Sequence, residues 1–373
     1  MSTHVSEINS EAGARLVAAA RHGSTAEADR INVNTDRSGY TPDTLPDGVV
    51  YATSINDVVE TMVRATAGSI PIVARGAGTG LAAGSAAKAG EIVLDLSGMN
   101  RILRLDPLEQ IVVVEPGILN AEVNAAAGEH GLFYAPDPAS TAICSIGGNI
   151  ATNAGGMRCA KYGVTRESVL ALKVVLPDGR LLVTGRETIK GVTGYDLNAL
   201  MIGSEGTLGV VVEATLRLRP LPVATATVAA FFPDIVTAAQ AASAIIASRI
   251  TPSVLELMDG PTLSAVDAAL GTDYRSRGGA FLLAQTDGYG AFLEQEVLIQ
   301  AIEPLALSYE KATDPERTSE LLRVRREAIP SLELLGNVCI GDVGVPRGRL
   351  AEMVTGIEEI SRRTGVRIFT VAH

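Results

Sequence analysis

Tryptophan is absent from this 373-residue chain, and aromatic residues make up only 4% of it. The 47% hydrophobic content is therefore largely aliphatic, enough to fill well-buried cores. Cysteine is nearly absent too. Cys144, Cys159 and Cys339 are an odd number with no C-x-x-C spacing, which argues against a disulfide framework and fits a reducing compartment. A positive balance is missing: the net charge of −11 argues against nucleic acid, whose phosphates would be repelled. An anionic small substrate stays open, because one local arginine can override the global field. No stretch approaches the unbroken apolar length of a membrane span. The first residues carry Glu7 and Glu11 and no apolar core, so no signal peptide is expected. These absences place the protein in the cytoplasm, or peripherally at the inner membrane. His4, His22, His130 and His373 show no ligand spacing among the first three, and surface roles are expected for those. No Ser-His-Asp, H-E-x-x-H or Walker pattern occurs.

Glycine, by contrast, is abundant and clustered. Pro71–Leu81 is an apolar strand running into Arg75-Gly76-Ala77-Gly78-Thr79-Gly80. Glycine lacks Cβ and tolerates positive φ, so successive N–H groups in such a turn can point into one concavity and touch an anion. Arg75 at its mouth adds a guanidinium suited to phosphate oxygens. The pattern holds a pyrophosphate without a metal. Gly78-Thr79-Gly80-Leu81-Ala82-Ala83 also fits G-x-G-x-x-A, yet the interval before the next strand, 91–96, is too short and glycine-broken for a crossover helix. A nicotinamide Rossmann unit is therefore disfavoured.

Length alone predicts two domains. Periodicity predicts helices over 11–22, from Ser54, and over 118–128, with strands at 69–74, 91–96 and 110–115. Residues 135–156 read as an irregular glycine-rich segment. A hairpin over 170–184 turns at Pro177-Asp178-Gly179. A third glycine station, Gly203–Gly209, leads into a strand over 210–218. Arg219-Pro220-Leu221-Pro222 marks a boundary, giving domains at 1–220 and 221–373. Beyond it, strands (224–231, 253–258, 280–286, 305–311) alternate with helices (234–248, 290–302), an α+β pattern of antiparallel sheet covered by helices. A last helix at 348–363 and an apolar strand at 366–371 end on His373.

The stations together resemble the FAD-linked oxidase family with the vanillyl-alcohol-oxidase (PCMH) type of FAD domain, in the branch of D-lactate dehydrogenase and the glycolate oxidase flavin subunit. The residues that carry the resemblance are Arg75–Gly80, Pro136-Asp137-Pro138-Ala139-Ser140, Ile146–Gly156, Lys161-Tyr162-Gly163, Val192–Leu197 and Gly203–Gly209. They span most of 40–220. The implied fold class is α+β, a two-subdomain FAD-binding domain followed by an α+β cap domain that is incomplete at its C-terminal end.

The resemblance implies FAD. Arg75, Gly76, Ala77, Gly78, Thr79 and Gly80 would hold the pyrophosphate. Pro136, Asp137, Ser140, Ser145, Gly147, Gly148, Ala151 and Asn153 would wrap the flavin and ribityl chain, and Glu205, Gly206 and Val211 would line the adenosine end. Relatives that attach flavin covalently use His, Cys or Tyr; the 75–80 loop has none, so noncovalent FAD is expected.

Oxidising a 2-hydroxy acid requires a carboxylate grip, a proton acceptor and a hydride acceptor. Leu322–Ala328 resembles the family's cap motif, which makes Arg325 the residue that grips the substrate carboxylate. Trp often stands in relatives where Leu322 stands here. Asp342-Val343-Gly344-Val345-Pro346 resembles the segment that returns to the flavin, with Asp342 either a turn residue or a catalytic one. His373 matches the first of two histidines that, with a later Glu, bind a divalent metal (Zn, Mn or Fe) in several members. One His makes no metal site; the resemblance implies His373 as a catalytic residue and as the one ligand here of an incomplete metal site. The expectation is a chain cut short at its C-terminus, with partners comprising a small anionic 2-hydroxy acid and an electron acceptor: a quinone, a cytochrome or an iron–sulfur subunit. A different class remains beside it, an FAD-binding fragment or subunit without turnover of its own.

Overall fold

The structure is a computed structural model that describes residues 2–188, 190–312 and 314–373, with side chains described from residue 11. The side chain of His4 lies outside the described residues. The chain divides into two compact units: one runs through Gly156 and resumes over Gly163–Leu221, the other comprises Met157–Tyr162 and Pro222–His373.

The first unit holds three sheets, the smallest being Leu132–Phe133 paired antiparallel with Arg219–Pro220. In one, Gly23–Ser24 pairs antiparallel with Gly48–Tyr51, which lies parallel to Ile92–Asp95, itself parallel to Ile72–Arg75. The central strand Ile92–Asp95 is buried throughout, as the run Ile-Val-Leu requires. Two parallel neighbours, Ile72–Arg75 and Ile92–Asp95, are joined by residues 76–91 without any helix, so the dinucleotide crossover is indeed missing. Helix Ile55–Gly68 buries Val58, Thr61, Met62 and Ala65. Ser54 caps it through Asp57 N–H at 3.3 Å, a contact of about 1 kcal/mol, and Ser69 closes it in the left-handed region. The second sheet is antiparallel, in the order Ile102–Asp106, Ile111–Val114, Val210–Arg217, Val169–Val175, Leu181–Gly185.

The second unit is one five-stranded antiparallel sheet in the order Ser308–Ala312, Thr225–Phe232, Ala280–Asp287, Val254–Asp259, Val371–Ala372. Alternation along the strands sends Val228, Ala230, Leu255 and Leu257 to helices Ile235–Ala247, Ala291–Ile302 and Leu350–Thr364. The opposite set, Ala229, Phe231, Met258 and Phe281, packs on helices Gly260–Leu270 and Pro315–Arg326 and on Ala328. Together the units form the expected mixed α+β architecture.

Several elements differ from expectation. The first helix is Ser2–Ala19 and stops before Gly23, which joins a strand. Residues 135–156 contain a helix, Ile146–Thr152, because Ser145 caps it and Ile146, Asn149 and Ile150 turn inward. Helices Gly260–Leu270 and Pro315–Arg326 were hidden by prolines, which sit at their first turns where a missing N–H costs nothing. The expected strand at 366–371 shrinks to Val371–Ala372, since only those two residues reach the ladder of Val254–Asp259. Asp259 fixes that entry: its N–H donates to Thr370 O at 3.1 Å and its carboxylate accepts from Thr370 N–H at 2.9 Å.

Candidate functional site

In the first unit the three glycine stations converge. A Cβ on Gly76 would run into Ser145 Oγ, so the first loop turns directly against the start of the 146–152 helix. Ser145 Oγ accepts from Gly148 N–H and from Ala77 N–H, each at 3.3 Å, tying both segments together. The third station closes on the same helix: Gly203 N–H donates to Ile150 O at 3.0 Å and Glu205 N–H to Ala151 O at 2.9 Å. A Cβ on Gly206 would lie 3.5 Å from Ala74 Cβ. Asn153 and Glu205 adopt left-handed φ of 51° each. Asn153 Oδ1 accepts from Arg166 N–H at 3.0 Å. Pro136 O accepts from Asn120 Nδ2 at 3.0 Å, which anchors the segment leading through Asp137 and Ser140.

Gly78 has φ of +66°, and a side chain there would collide with the Arg75 guanidinium. Among the described residues, the N–H groups of Gly78, Thr79, Gly80 and Leu81 donate to no protein acceptor. Four successive unclaimed donors around a positive-φ glycine fit a pyrophosphate. The residues present therefore fit FAD.

The Arg75 guanidinium lies against Gly78. Its Nη1 donates to Val33 O at 3.4 Å and Ser85 O at 3.1 Å, as a brace across the loop. Burial lowers its pKa, opposed by the nearby carboxylates of Asp95 and Asp36. Asp36, which the sequence did not single out, holds Ser85 N–H and Oγ at 3.3 Å each. Gly147 is also spoken for: its N–H donates to Pro116 O at 2.7 Å and Pro116 fills the space beside it. Val211 pairs with Val174 inside the antiparallel sheet and packs on its core.

The second unit carries a separate polar cluster. In the antiparallel ladder Leu257 faces Ala372, so His373 falls opposite Glu256. Glu256 is wholly buried. Its Oε2 accepts from Arg325 Nε, and its Oε1 lies 3.3 Å from His373 Nδ1. The Arg325 side chain is 12% exposed and that of His373 46%, so both present an edge to solvent over a carboxylate that has none. The Glu256 contact raises the His373 pKa; burial and Arg325 oppose it, and Asp342 adds a smaller push upward. Arg325 and His373, distant in sequence, are thus brought together, and Glu256 is the residue that sequence reading missed. Its signal was a lone acid in the apolar run Val254-Leu255-Glu256-Leu257-Met258. Lys161 and Tyr162 lie elsewhere in this unit: both reach the buried Asp287, Tyr162 Oη at 2.6 Å. No three His, Cys, Asp or Glu side chains among the described residues converge to hold a metal ion.

Residues 46–185 match the family described as FAD binding domain, and residues 221–373 match FAD linked oxidases, C-terminal domain. Glycolate oxidase subunit GlcD of Bacillus subtilis is 37% identical over 335 residues, covering 88% of this chain and 71% of that protein. The subunit of the same name from Escherichia coli K12 is 34% identical over 82% of this chain, which spans 62% of that relative. D-lactate dehydrogenase of Anaerostipes hadrus is 32% identical, covering 88% of this chain and 71% of its own length. Among solved structures, 4-ethylphenol oxidase from Gulosibacter chungangensis shares the fold with a TM-score of 0.76, at 17% identity, over 98% of this chain and 80% of that one. An FAD-binding domain followed by the C-terminal domain of FAD-linked oxidases, with relatives above 30% identity over most of both chains, makes this protein a member of the FAD-linked oxidase family.

Proposed function

We propose that the chain oxidises a small D-2-hydroxy acid of the lactate or glycolate type to its 2-keto acid, with noncovalently held FAD. The observation that carries this reading is the pairing of a guanidinium and an imidazole over one buried carboxylate. Arg325 offers its Nη edge to the substrate carboxylate, a bidentate match that a lysine would not make. His373 offers Nε2 to the hydroxyl and takes its proton as the carbonyl forms. When bound, FAD supplies the acceptor for the hydride that leaves the substrate carbon. Gly78–Leu81 would hold its pyrophosphate through backbone N–H groups. Noncovalent attachment is supported by Cys144, whose thiol is buried and pushed up in pKa by that burial, a poor nucleophile. No step here uses a metal, since no ligand set assembles among the described residues.

The names of the relatives support glycolate or D-lactate as substrate and a multi-subunit setting, with electrons leaving to a quinone, a cytochrome or a partner subunit. No helix among the described residues is long and apolar enough to cross a membrane; we place the protein in the cytoplasm or on the inner-membrane face. The test is anaerobic titration of the purified yellow protein with D-lactate and with glycolate. Bleaching of the flavin absorbance is expected with one or both, and acid precipitation should release the colour into the supernatant. A yellow protein that neither acid bleaches would overturn the oxidation reading and favour an FAD-binding chain without turnover.

A further inference from the structure

The cradle around Gly78 has an acid beside it. Asp36 lies in the loop between helix Glu27–Val33 and strand Gly48–Tyr51 and is 9% exposed. A Cβ on Gly80 would come within 3.6 Å of its Oδ2. A carboxylate so close to an anion site weakens binding by repulsion unless its own bonds return more. Those bonds are specific. Oδ2 accepts from Ser85 N–H and from Ser85 Oγ, at 3.3 Å each, and Oδ1 accepts from Ser38 N–H at 3.0 Å.

Ser85 ends the stretch that Arg75 begins. Arg75 Nη1 donates to Ser85 O at 3.1 Å and to Ser85 Oγ at 3.4 Å. One hydroxyl is therefore used in both directions. The carboxylate can only accept, so it takes the Ser85 proton and leaves a hydroxyl lone pair to the guanidinium. Arg75, Ser85 and Asp36 in series close residues 76–84 at their base. Gly78–Leu81, whose N–H groups have no protein acceptor among the described residues, lie within that closed stretch.

We infer that Asp36 is a positioning residue for the FAD pyrophosphate. By holding Ser85 it fixes the loop, so that the N–H groups of Gly78–Leu81 converge before the cofactor arrives. Donors already in place lose less freedom on binding. The inference rests on the assignment of this loop as the pyrophosphate cradle. The competing account is that Asp36 only balances the charge of Arg75, which also has Asp95 nearby. An amide separates the two. Asp36→Asn removes the charge and keeps one oxygen for Ser85 N–H; Asp36→Ala removes both.

The test uses the full chain stripped of flavin, and reads FAD affinity by titration and amide exchange by residue. Asp36→Ala should weaken FAD binding on the order of 10- to 100-fold and speed exchange across 76–85, while helix Ile55–Gly68 exchanges as in wild type. Asp36→Asn should keep FAD affinity within a few-fold of wild type. Unchanged or tighter FAD binding in Asp36→Ala overturns the inference. So does an Asp36→Asn chain as weak as Asp36→Ala, which would give the role to charge. Exchange that quickens as much in Ile55–Gly68 as in 76–85 also overturns it, because the loss is then one of general structure. In the flavin-free wild type Ser85 N–H should exchange slowly. Fast exchange there overturns the inference without any variant, so a misfolded Asp36→Ala does not shield it. Gly78→Val is the control: normal FAD binding in that variant sinks the cradle itself, whereas loss there with full retention in Asp36→Ala sinks only the role of Asp36.

Discussion

The cradle around Gly78 and the cluster around Glu256 solve opposite problems by opposite means. The cradle is made of backbone: N–H groups without protein acceptors, arranged by left-handed φ at Gly78 and by Ser145 as a shared clasp. Arg75 braces it through Nη1. The Glu256 cluster is made of side-chain charge on regular elements, a strand, a helix and a strand end. A backbone site is broken by adding atoms. A charge site is broken by removing them.

The largest effect should come from splitting the buried pair. Arg325→Ala leaves the Glu256 carboxylate without its guanidinium and should cost the second unit about 3–5 kcal/mol, read by denaturant unfolding. The double variant Glu256→Leu with Arg325→Met should recover most of that stability yet bind the 2-hydroxy acid no better. A double variant as unstable as Arg325→Ala would show that packing, not charge, is what the pair supplies.

Adding a Cβ should act in the other unit. Gly78→Val strains a φ of +66° and pushes a branched side chain into the Arg75 guanidinium, whereas Gly90→Val meets a comparable φ of +85° with nothing within 4 Å. Both should lose about 1–3 kcal/mol of backbone stability, but only Gly78→Val should lose flavin, measured as bound absorbance per chain. Equal flavin content in the two variants would mean that the loop does not hold the cofactor.

The smallest effect contrasts the two units in acid. In the first, burial pushes Glu115 up, but its bonds with Arg101 win and its pKa lies below the ordinary 4.5. Its stabilising share is present above the unfolded pKa and is lost as pH falls through the folded one. In the second, burial raises Asp259 above 3.8 despite its hydrogen bonds to Thr262 and Thr370. A raised acid binds its proton more readily in the folded chain, so stability at this position improves as pH falls toward 3.8. Glu115→Gln should flatten acid sensitivity in hydrogen exchange of Ile111–Val114. Asp259→Asn should make Val254–Asp259 lose more protection in acid than wild type does.

Local chemistry was written in the sequence wherever it was local. The stations at 75–80, 146–156 and 203–209 could be read because a glycine carries its conformational meaning in its own covalent structure, and the strand expected over 253–258 was legible from its apolar run. The helix at 146–152 was not, because two glycines mask a segment that only Ser145 and the inward packing of Ile146 and Ile150 make helical. Nor was the helix Gly260–Leu270, where Gly-Pro reads as a breaker until Asp259 is seen to cap it.

Arg75 shows the boundary most sharply. A guanidinium beside a glycine loop suits a phosphate as a brace or as a ligand, and only the tertiary structure shows that one of its nitrogens, Nη1, bonds the carbonyls of Val33 and Ser85. Glu256 shows it again. Sequence alone determined a long chain with aliphatic cores, a glycine-built backbone cradle and an antiparallel second unit, because composition, φ preference and alternation act over a few residues. Tertiary structure alone decided that residues 256, 325 and 373 share one carboxylate. That meeting depends on a strand register set by two ladder pairs and on a helix packed across the sheet, and no property of three residues so far apart in the chain encodes it by itself.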